Sequence, residues 1–248
     1  MPVSFTECMN VISSLKSTKT KLNSLPVWLF KRYAFIFCHI IVNLVNLSFS
    51  TGVFPTCLKD ANITPIHKKG SKFDLHNYRP ISTLPYLSKV FEKLLNSRLK
   101  AFVCRHNLLS QAQHGFQQGQ STQSALLDLM DHLYNAVESR NYSMAIFLDY
   151  QKAFDSIDQT ILLRKLDRYG IRGIPLNLIS SYLCNRRYRV CLNDYYSDYF
   201  TSTQGVPQGS ILAPLLFNLF INDICYLSDS FKLVLYADDT TLIFSDSS

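Results

Sequence analysis

The sequence predicts an α+β protein in which helices back an antiparallel sheet. From Met144 onward, hydrophobic periodicity and turn residues follow the order strand, helix, helix, strand, strand, helix, strand, strand. Hydrophobic residues make up 47% of the 248 positions and charged residues 17%, which favours a globular chain over a disordered one. This length is sufficient to bury a substantial core, either as one large domain or as two subdomains.

Helices are predicted where apolar residues recur every three to four positions behind a capping residue. Ser121 and Asp158 are typical N-caps, whereas Gly52 and Gly170 are typical of helix ends. A polar, lysine-rich linker is expected before Pro26. The predicted helices span residues 5–15, 27–49, 88–102, 122–137, 159–169, 175–184 and 211–221.

Strands are predicted where short β-prone runs lie between turn residues. Pro65 suggests an edge position for the strand at 61–67, and a basic turn leads from it to extended chain at 78–82. Another strand is expected at 144–149. Hairpins are predicted over residues 187–200, with a turn at Asn193-Asp194, and over residues 231–244.

Charge is distributed unevenly along the chain, which has a net charge of +7. Residues 1–110 contain 15 Lys and Arg against 4 Asp and Glu, whereas residues 111–248 contain 10 against 14. This division suits a protein that binds a polyphosphate backbone and localises metal, although ordinary surface scatter is the alternative. The seven cysteines include no Cys-x-x-Cys motif, which favours a reducing compartment over a disulfide framework or a zinc site.

Residues 33–49 form an uncharged stretch of about the minimum length for a membrane span. Its polar residues His39, Asn43 and Asn46 share one helical face, which favours a partly buried helix in a soluble protein. A membrane-anchored protein is the alternative. No signal peptide is expected, because residues 6–21 are polar and contain lysines.

Two adjacent carboxylates, Asp238 and Asp239, lie between β-prone segments, so the last hairpin should present both at its turn. Like charges side by side are unfavourable unless a cation neutralises them, and Mg²⁺ prefers oxygen ligands. Asp149 ends another strand-like run. Three carboxylates that meet at strand ends predict a two-metal site for phosphoryl or nucleotidyl transfer. A solvated acidic turn is the alternative.

Six segments of the chain form a recognisable series. They are residues 63–70 (Ile-Thr-Pro-Ile-His-Lys-Lys-Gly), 77–82 (Asn-Tyr-Arg-Pro-Ile-Ser), 113–122 (Gln-His-Gly-Phe and Gly-Gln-Ser-Thr), 148–155 (Leu-Asp-Tyr-Gln-Lys-Ala-Phe-Asp), 204–210 (Gln-Gly-Val-Pro-Gln-Gly-Ser) and 236–239 (Tyr-Ala-Asp-Asp). In order and spacing, the series resembles the reverse transcriptase of non-LTR (LINE-type, jockey-like) retrotransposons. The resemblance implies the fingers and palm of a right-hand polymerase, which adds dNTPs to a DNA primer on an RNA template.

The resemblance also implies a role for each residue at the catalytic centre. Asp149 and Asp238 would bind two Mg²⁺ ions, with Mn²⁺ as a possible substitute, and Asp239 would lie beside them. The main-chain carbonyl of Tyr150 would add a ligand. Phe154 would close off the 2′ side of the incoming sugar, unless it is an ordinary core phenylalanine.

The incoming nucleotide and the template have their own expected contacts. Lys68 and Arg79 would hold the triphosphate; Lys69 is an alternative to Lys68, and a solvated basic turn is the alternative for both lysines. Gln208 and Gly209 would pack against the nucleotide and the template base.

A loop that leads to a helix start is expected near the template strand, where main-chain N–H groups can meet phosphate. Its residues are Gly115, Phe116, Ser121 and Thr122. A second group resembles a basic-aromatic nucleic-acid contact, although an exposed hairpin face explains it equally well. That group is Arg186, Arg187, Tyr188 and Arg189. Asp155 is expected to be a local hydrogen-bond acceptor.

The implied domain organisation has three parts: a helical extension of the fingers at 1–55, the fingers at 56–140, and a palm at 141–248 that is truncated after the acidic hairpin, with the thumb absent. We expect weak processive synthesis from such a chain. A catalytically silent, nucleic-acid-binding retroelement remnant is the alternative. Family membership implies an intracellular protein, in the cytoplasm with RNA and in the nucleus with target DNA, without a membrane partner. The sequence leaves the oligomeric state unknown.

Overall fold

The computed structural model describes residues 2–16, 26–193, 195–227 and 230–246, which form two sheets and the helices around them. The helices are α1 (Phe5–Ser14), α2 (Val27–Arg32), α3 (Ala34–Thr51), α4 (Tyr86–Arg105), α5 (Thr122–Glu138), α6 (Gln159–Arg168), α7 (Ile174–Leu183) and α8 (Ala213–Ile221). The strands are β1 (Ala61–His67), β2 (Tyr78–Thr83), β3 (Tyr142–Leu148), β4 (Arg186–Leu192), β5 (Tyr195–Tyr196), β6 (Phe200–Ser202), β7 (Lys232–Tyr236) and β8 (Asp239–Asp246).

The main core lies between helices. Apolar side chains of α1, α3, α4, α6, α7 and α8 pack together there, among them Ile12, Val45, Leu94, Leu162 and Leu216. Their spacing within each helix places them on one face, as the sequence periodicity predicts. These helices therefore form the main hydrophobic core of the described residues.

The first sheet has the order β2, β1, β4, β5, and β6 also pairs with β4. β1 runs parallel to β4 only over residues 61–63, so Pro65 lies where β1 pairs with β2. The predicted edge position is wrong for the strand as a whole, because β1 lies between β2 and β4. The proline is tolerated because β1 is not paired with β4 at that residue. The hairpin predicted over 187–200 forms as β4 and β5, and Asp194 of its predicted turn lies outside the described residues.

The second sheet is antiparallel, with the order β3, β8, β7. Its register runs from Tyr142 opposite Asp246 to Leu148 opposite Thr240. Helix α5 covers one face through Ala125, which packs against strand residues Val234 and Ile243. This sheet carries the carboxylates of the acidic hairpin at one end.

One helix prediction is wrong in its continuity. The segment predicted as a single helix over 27–49 is two helices, α2 and α3, which meet at Tyr33. Tyr33 has φ −109° and ψ 27°, so its backbone ends one helix and begins the next. The lysine-rich linker predicted before Pro26 falls largely on residues 17–25, which lie outside the described residues.

Helix α3 is long and apolar enough to cross a membrane by length and composition, with a mean hydropathy of 1.6. One of its faces packs into the main core through Cys38, Ile41 and Val45. The Asn46 side chain bonds both the N–H and the carbonyl of Val3. The predicted partial burial of this helix is therefore confirmed, while Ile40 on its outer face is exposed.

Candidate active site

A cleft of about 820 Å³ lies between the carboxyl end of β3, the turn between β7 and β8, strand β2 and the loop that precedes α8. Most of the residues predicted from the six segments line it. They are Lys68, Arg79, Phe116, Asp149, Tyr150, Phe154, Gln208, Gly209 and Asp238. Residues separated by up to 170 positions in the sequence therefore meet on one concave surface.

Two of the three predicted carboxylates enter this cleft from neighbouring strands. Asp149 follows the last paired residue of β3, and Asp238 lies in the two-residue turn closed by the pairing of Tyr236 with Asp239. Asp149 is exposed and Asp238 is half-buried. Among the described residues, Asp239 does not line the cleft; it is exposed at the first position of β8.

The donor set fits a magnesium ion that is bound partly by substrate. Mg²⁺ commonly takes one or two protein carboxylates and completes its octahedral shell with water and substrate phosphates. Asp149 and Asp238 provide two carboxylates in one cleft, and Tyr150 lies beside them. Within the described ranges, no three His, Cys, Asp or Glu side chains are grouped as a metal site.

Basic side chains line the same cleft as the acids. Lys68 and Arg79 both contribute, whereas Lys69 is absent from the lining formed by the described residues. His76 and Lys152 also line the cleft, and the sequence analysis assigned neither to it. A cleft with both carboxylates and cations suits a metal-bound polyphosphate.

Phe154 both packs on the core and lines the cleft. Its ring stacks on Phe217 with centroids 4.7 Å apart and makes an edge contact with Phe116 at 6.2 Å. It is half-buried against the main core and also lines the cleft. The core contact therefore holds a bulky ring at the wall of the site.

The loop at 204–210 is held against the segment that follows Asp149. Gly205 has φ +78°, and a Cβ there would lie 2.7 Å from the carbonyl oxygen of Asp155, so only glycine fits. The main-chain N–H of Val206 donates to the carbonyl of Phe154 at 2.9 Å. The carbonyl of Gln208 accepts from the N–H of Ser82 at 2.8 Å, which ties the loop to β2.

Asp155 accepts a side-chain hydrogen bond as predicted, but the prediction that the donor is a nearby residue in the sequence is wrong. Its Oδ2 accepts from Nε2 of Gln208 at 2.7 Å, a residue 53 positions away. Burial raises the pKa of Asp155, and the bond from Gln208 opposes that rise. The pair forms part of the cleft wall, which the spacing of the two motifs alone did not reveal.

A buried carboxylate behind this loop was missed in the sequence. Oε2 of Glu92 accepts from the N–H of Ile211 at 2.7 Å, and its Oε1 accepts from the hydroxyl of Tyr182 at 3.1 Å. Burial raises the pKa of Glu92. The helical periodicity could have indicated its burial, because Glu92 falls on the apolar face of α4 with Leu95 and Leu99.

Three residues expected near the template are placed outside the cleft. Gly115 lies against the acidic turn, and a Cβ on it would be 2.1 Å from the N of Ala237. Ser121 accepts a hydrogen bond from the N–H of Ser124 and caps α5, of which Thr122 is the first residue. Among the described residues, the cleft lining includes none of these three, and Phe116 alone of the predicted template group contributes to it.

The arginines of β4 have partners within the protein. Arg186 is 1% exposed, which excludes it from an exposed face. Arg187 forms two hydrogen bonds with Asp60, and Arg189 bonds Asn62 and lies 4.1 Å from the ring centroid of Tyr196. These contacts connect β4 to its neighbours in the first sheet, while the side chain of Arg187 remains 55% exposed.

The chain is similar to known proteins over the residues that line the cleft. Residues 66–248 match the model of the family described as reverse transcriptase (RNA-dependent DNA polymerase). The "Probable RNA-directed DNA polymerase from transposon BS" of Drosophila melanogaster is 33% identical over 99% of the chain. The RNA-directed DNA polymerase from mobile element jockey of the same organism is 31% identical over 99%. The chain spans 28% of the length of each relative.

Two solved structures of Candida tropicalis telomerase are similar in fold. The apo form truncated from its C-terminal domain has a TM-score of 0.57 at 15% identity, covering 79% of this chain and 45% of its own. The complex with a TWJ fragment of telomeric RNA also has a TM-score of 0.57, at 13% identity, covering 84% and 40%.

Proposed function

Since the chain belongs to the reverse transcriptase (RNA-dependent DNA polymerase) family, we propose that its cleft adds dNTPs to a DNA primer on an RNA template. Its relatives are polymerases of the non-LTR elements jockey and BS. The observation that carries the proposal is the meeting of Asp149 and Asp238 with Lys68 and Arg79 in one cleft. A nucleotidyl transfer needs both a carboxylate pair for metal and cations for the triphosphate.

The basic residues of the cleft orient the nucleotide. Arg79 offers a planar set of donors that matches phosphate oxygens, and Lys68 adds a mobile positive charge. The ring of Phe154 occupies the wall where the sugar is expected, so it hinders a ribose 2′-hydroxyl. Gly209, with φ +98°, lets the loop lie close to Ser82 of β2 and lines the cleft where we expect the nucleotide.

Asp149 and Asp238 would hold two Mg²⁺ ions, for which Mn²⁺ can substitute, together with the phosphates of the substrate. When bound, such ions lower the pKa of the primer hydroxyl and stabilise the departing pyrophosphate. The silent-remnant alternative is not favoured, because both acids, Lys68 and Arg79 are retained in the cleft. We propose an intracellular site of action, with RNA in the cytoplasm and with target DNA in the nucleus.

Single-nucleotide addition to a primed RNA template tests the proposal. The wild-type chain should extend the primer by one dNTP with Mg²⁺, and Asp149→Asn and Asp238→Asn should each abolish extension. Asp246→Asn, at the far end of β8 and exposed, is the matched control and should extend normally. Undiminished extension by Asp238→Asn, or none by folded wild-type chain that binds the template, would contradict the proposal.

A further inference from the structure

The turn that carries Asp238 has an unusual backbone. Ala237 precedes the acid in a two-residue turn and has φ +55°, in the left-handed region that favours glycine. Its side chain is 7% exposed. A non-glycine residue is strained in this conformation, and contacts from outside the hairpin can help to hold it there.

Gln113 makes the contacts that do so. Its Oε1 accepts from the N–H of Ala237 at 2.9 Å, and its Nε2 donates to the carbonyl of Ala237 at 3.2 Å. One side-chain amide thus bonds both backbone groups of the same residue, 124 positions away in the sequence. Gln113 is 2% exposed, so water does not compete freely for these bonds.

The backbone around Gln113 is anchored to the same hairpin. The N–H of Leu235 donates to the carbonyl of Ala112 at 2.8 Å, and the N–H of His114 donates to the carbonyl of Leu235 at 2.7 Å. These bonds add a short parallel bridge beside β7. The side-chain amide of Gln113 therefore approaches Ala237 from a fixed base.

Two further hydrogen bonds connect Gln113 to helix α8 through Gly115. Oε1 of Gln113 also accepts from the N–H of Gly115 at 2.7 Å, and the carbonyl of Gly115 accepts from Nδ2 of Asn218 on α8 at 2.9 Å. Gly115 leaves room for the acidic turn, since any side chain there would collide with Ala237. Helix α8 is thereby connected to the turn through Gly115 and Gln113.

We propose that Gln113 is a positioning residue, which holds Ala237 in its left-handed conformation so that the Asp238 carboxylate faces Asp149 across the cleft. This role rests on the proposed function, because it gives the orientation of Asp238 a chemical purpose. Gln113 itself is absent from the cleft lining formed by the described residues, so it acts through the turn and not on the substrate.

The test compares Gln113→Met, which keeps the length of the side chain and removes its polar atoms, with the wild-type chain and with Gln111→Met. Gln111 is exposed and two residues away, so it controls for the substitution itself. Hydrogen exchange should show loss of protection at the Ala237 N–H in Gln113→Met, while amides in the interior of β8 stay protected. This readout is independent of metal and of activity.

Metal affinity is the second readout, measured as Mn²⁺ binding by electron paramagnetic resonance in saturating dNTP. Gln113→Met should bind Mn²⁺ about 10- to 100-fold more weakly, the usual consequence of losing a group that orients metal ligands. Adding Ala237→Gly should recover part of that loss, because glycine adopts the left-handed conformation without support. A general packing defect would not be rescued in this way.

The outcomes separate the positioning role from the proposed function. Unchanged Mn²⁺ affinity in Gln113→Met, or no recovery with Ala237→Gly, would overturn the positioning role while Asp238→Asn still abolishes binding. Equal Mn²⁺ affinity of the wild-type chain and Asp238→Asn would overturn the proposed metal site, and the positioning role with it.

Discussion

Single polar residues in the interior hold the segments that line the cleft. Glu92 bonds the N–H of Ile211 just after the glycine loop, and Gln208 bonds Asp155 across the loop. A buried polar group without a partner costs about 1–3 kcal/mol, so such bonds specify one arrangement of each loop. The cleft therefore depends on hydrogen bonds behind it and within its wall, as well as on the residues that would touch substrate.

The raised pKa of Glu92 predicts a pH dependence of stability. Its ordinary value is 4.5, and burial raises it, so the folded chain keeps the proton to higher pH than the unfolded chain. Protonated Glu92 therefore contributes to the free energy of unfolding. This contribution is fully present below pH 4.5 and is lost as pH rises through the pKa that Glu92 has in the folded chain. Glu92→Gln should remove this decline, as measured by urea unfolding from pH 4.5 to 8.

The matched control is Glu138→Gln, at the exposed end of α5, whose pH profile should follow that of the wild-type chain. If Glu92→Gln and wild type declined in parallel, the buried carboxyl would not be the group that titrates.

Phe154 gives a prediction about sugar selection. Phe154→Val removes part of the ring that lines the cleft, so incorporation of a ribonucleotide should rise relative to the matching dNTP by about tenfold or more. Competing single-nucleotide addition measures the ratio. Phe200→Val, on a strand of the first sheet, should leave the ratio unchanged; an unaltered ratio in Phe154→Val would assign the ring to the core alone.

At the scale of elements, the acidic hairpin and the segment before α5 act as one unit. Close approach of their backbones depends on Gly115, where a Cβ would overlap the N of Ala237. Hydrogen bonds from the segment at 112–114 extend the second sheet beyond β7. Gly115, which the sequence analysis placed near the template, thus lies against the turn that carries Asp238.

Gly115→Ala should displace this unit. Overpacking of this kind costs about 1–3 kcal/mol, and the shifted turn should also abolish single-nucleotide addition. Gly119→Ala is the control, because nothing lies within 4 Å of its Cβ position. It should lose about 1 kcal/mol through its left-handed φ of +80° while keeping activity. Normal activity of folded Gly115→Ala would show that the acidic hairpin does not depend on its close contact with the segment before α5.

At the scale of the whole molecule, much of the helical core lies apart from the cleft. Apolar side chains such as Ile12, Val45 and Leu94 belong to α1, α3 and α4, whose described residues do not line the cleft, whereas Asp149 and Asp238 do. Metal removal should therefore empty the site without unfolding the chain. Ligand binding should stabilise the fold only by mass action.

Thermal unfolding tests this separation. A chelator alone should leave Tm unchanged, whereas Mg²⁺ with dNTP at about 100 times Kd should raise it by roughly 5 °C. Asp238→Asn should remove the shift, and Asp246→Asn should keep it. Unfolding by the chelator would mean that a metal ion is part of the core.

Local signals in the sequence were sufficient for the helices and for much of the site. Ser121 and Asp158 cap α5 and α6 as predicted, because a cap bonds N–H groups two or three residues away. Such caps depend on neighbours along the chain. The six segments pointed to the family, and to many of the residues that line the cleft, through their resemblance to it in order and spacing.

Contacts across the chain were decided by the tertiary structure. Asp155 bonds Gln208 across 53 positions, and Gln113 bonds Ala237 across 124. Arg186, expected on a hairpin face, is buried. Sequence periodicity determines which side of an element is apolar, but the register in which elements pack determines which polar groups become partners. The sequence therefore determined the fold class and the chemical groups of the site, and only the packing decided which side chains hold them in place.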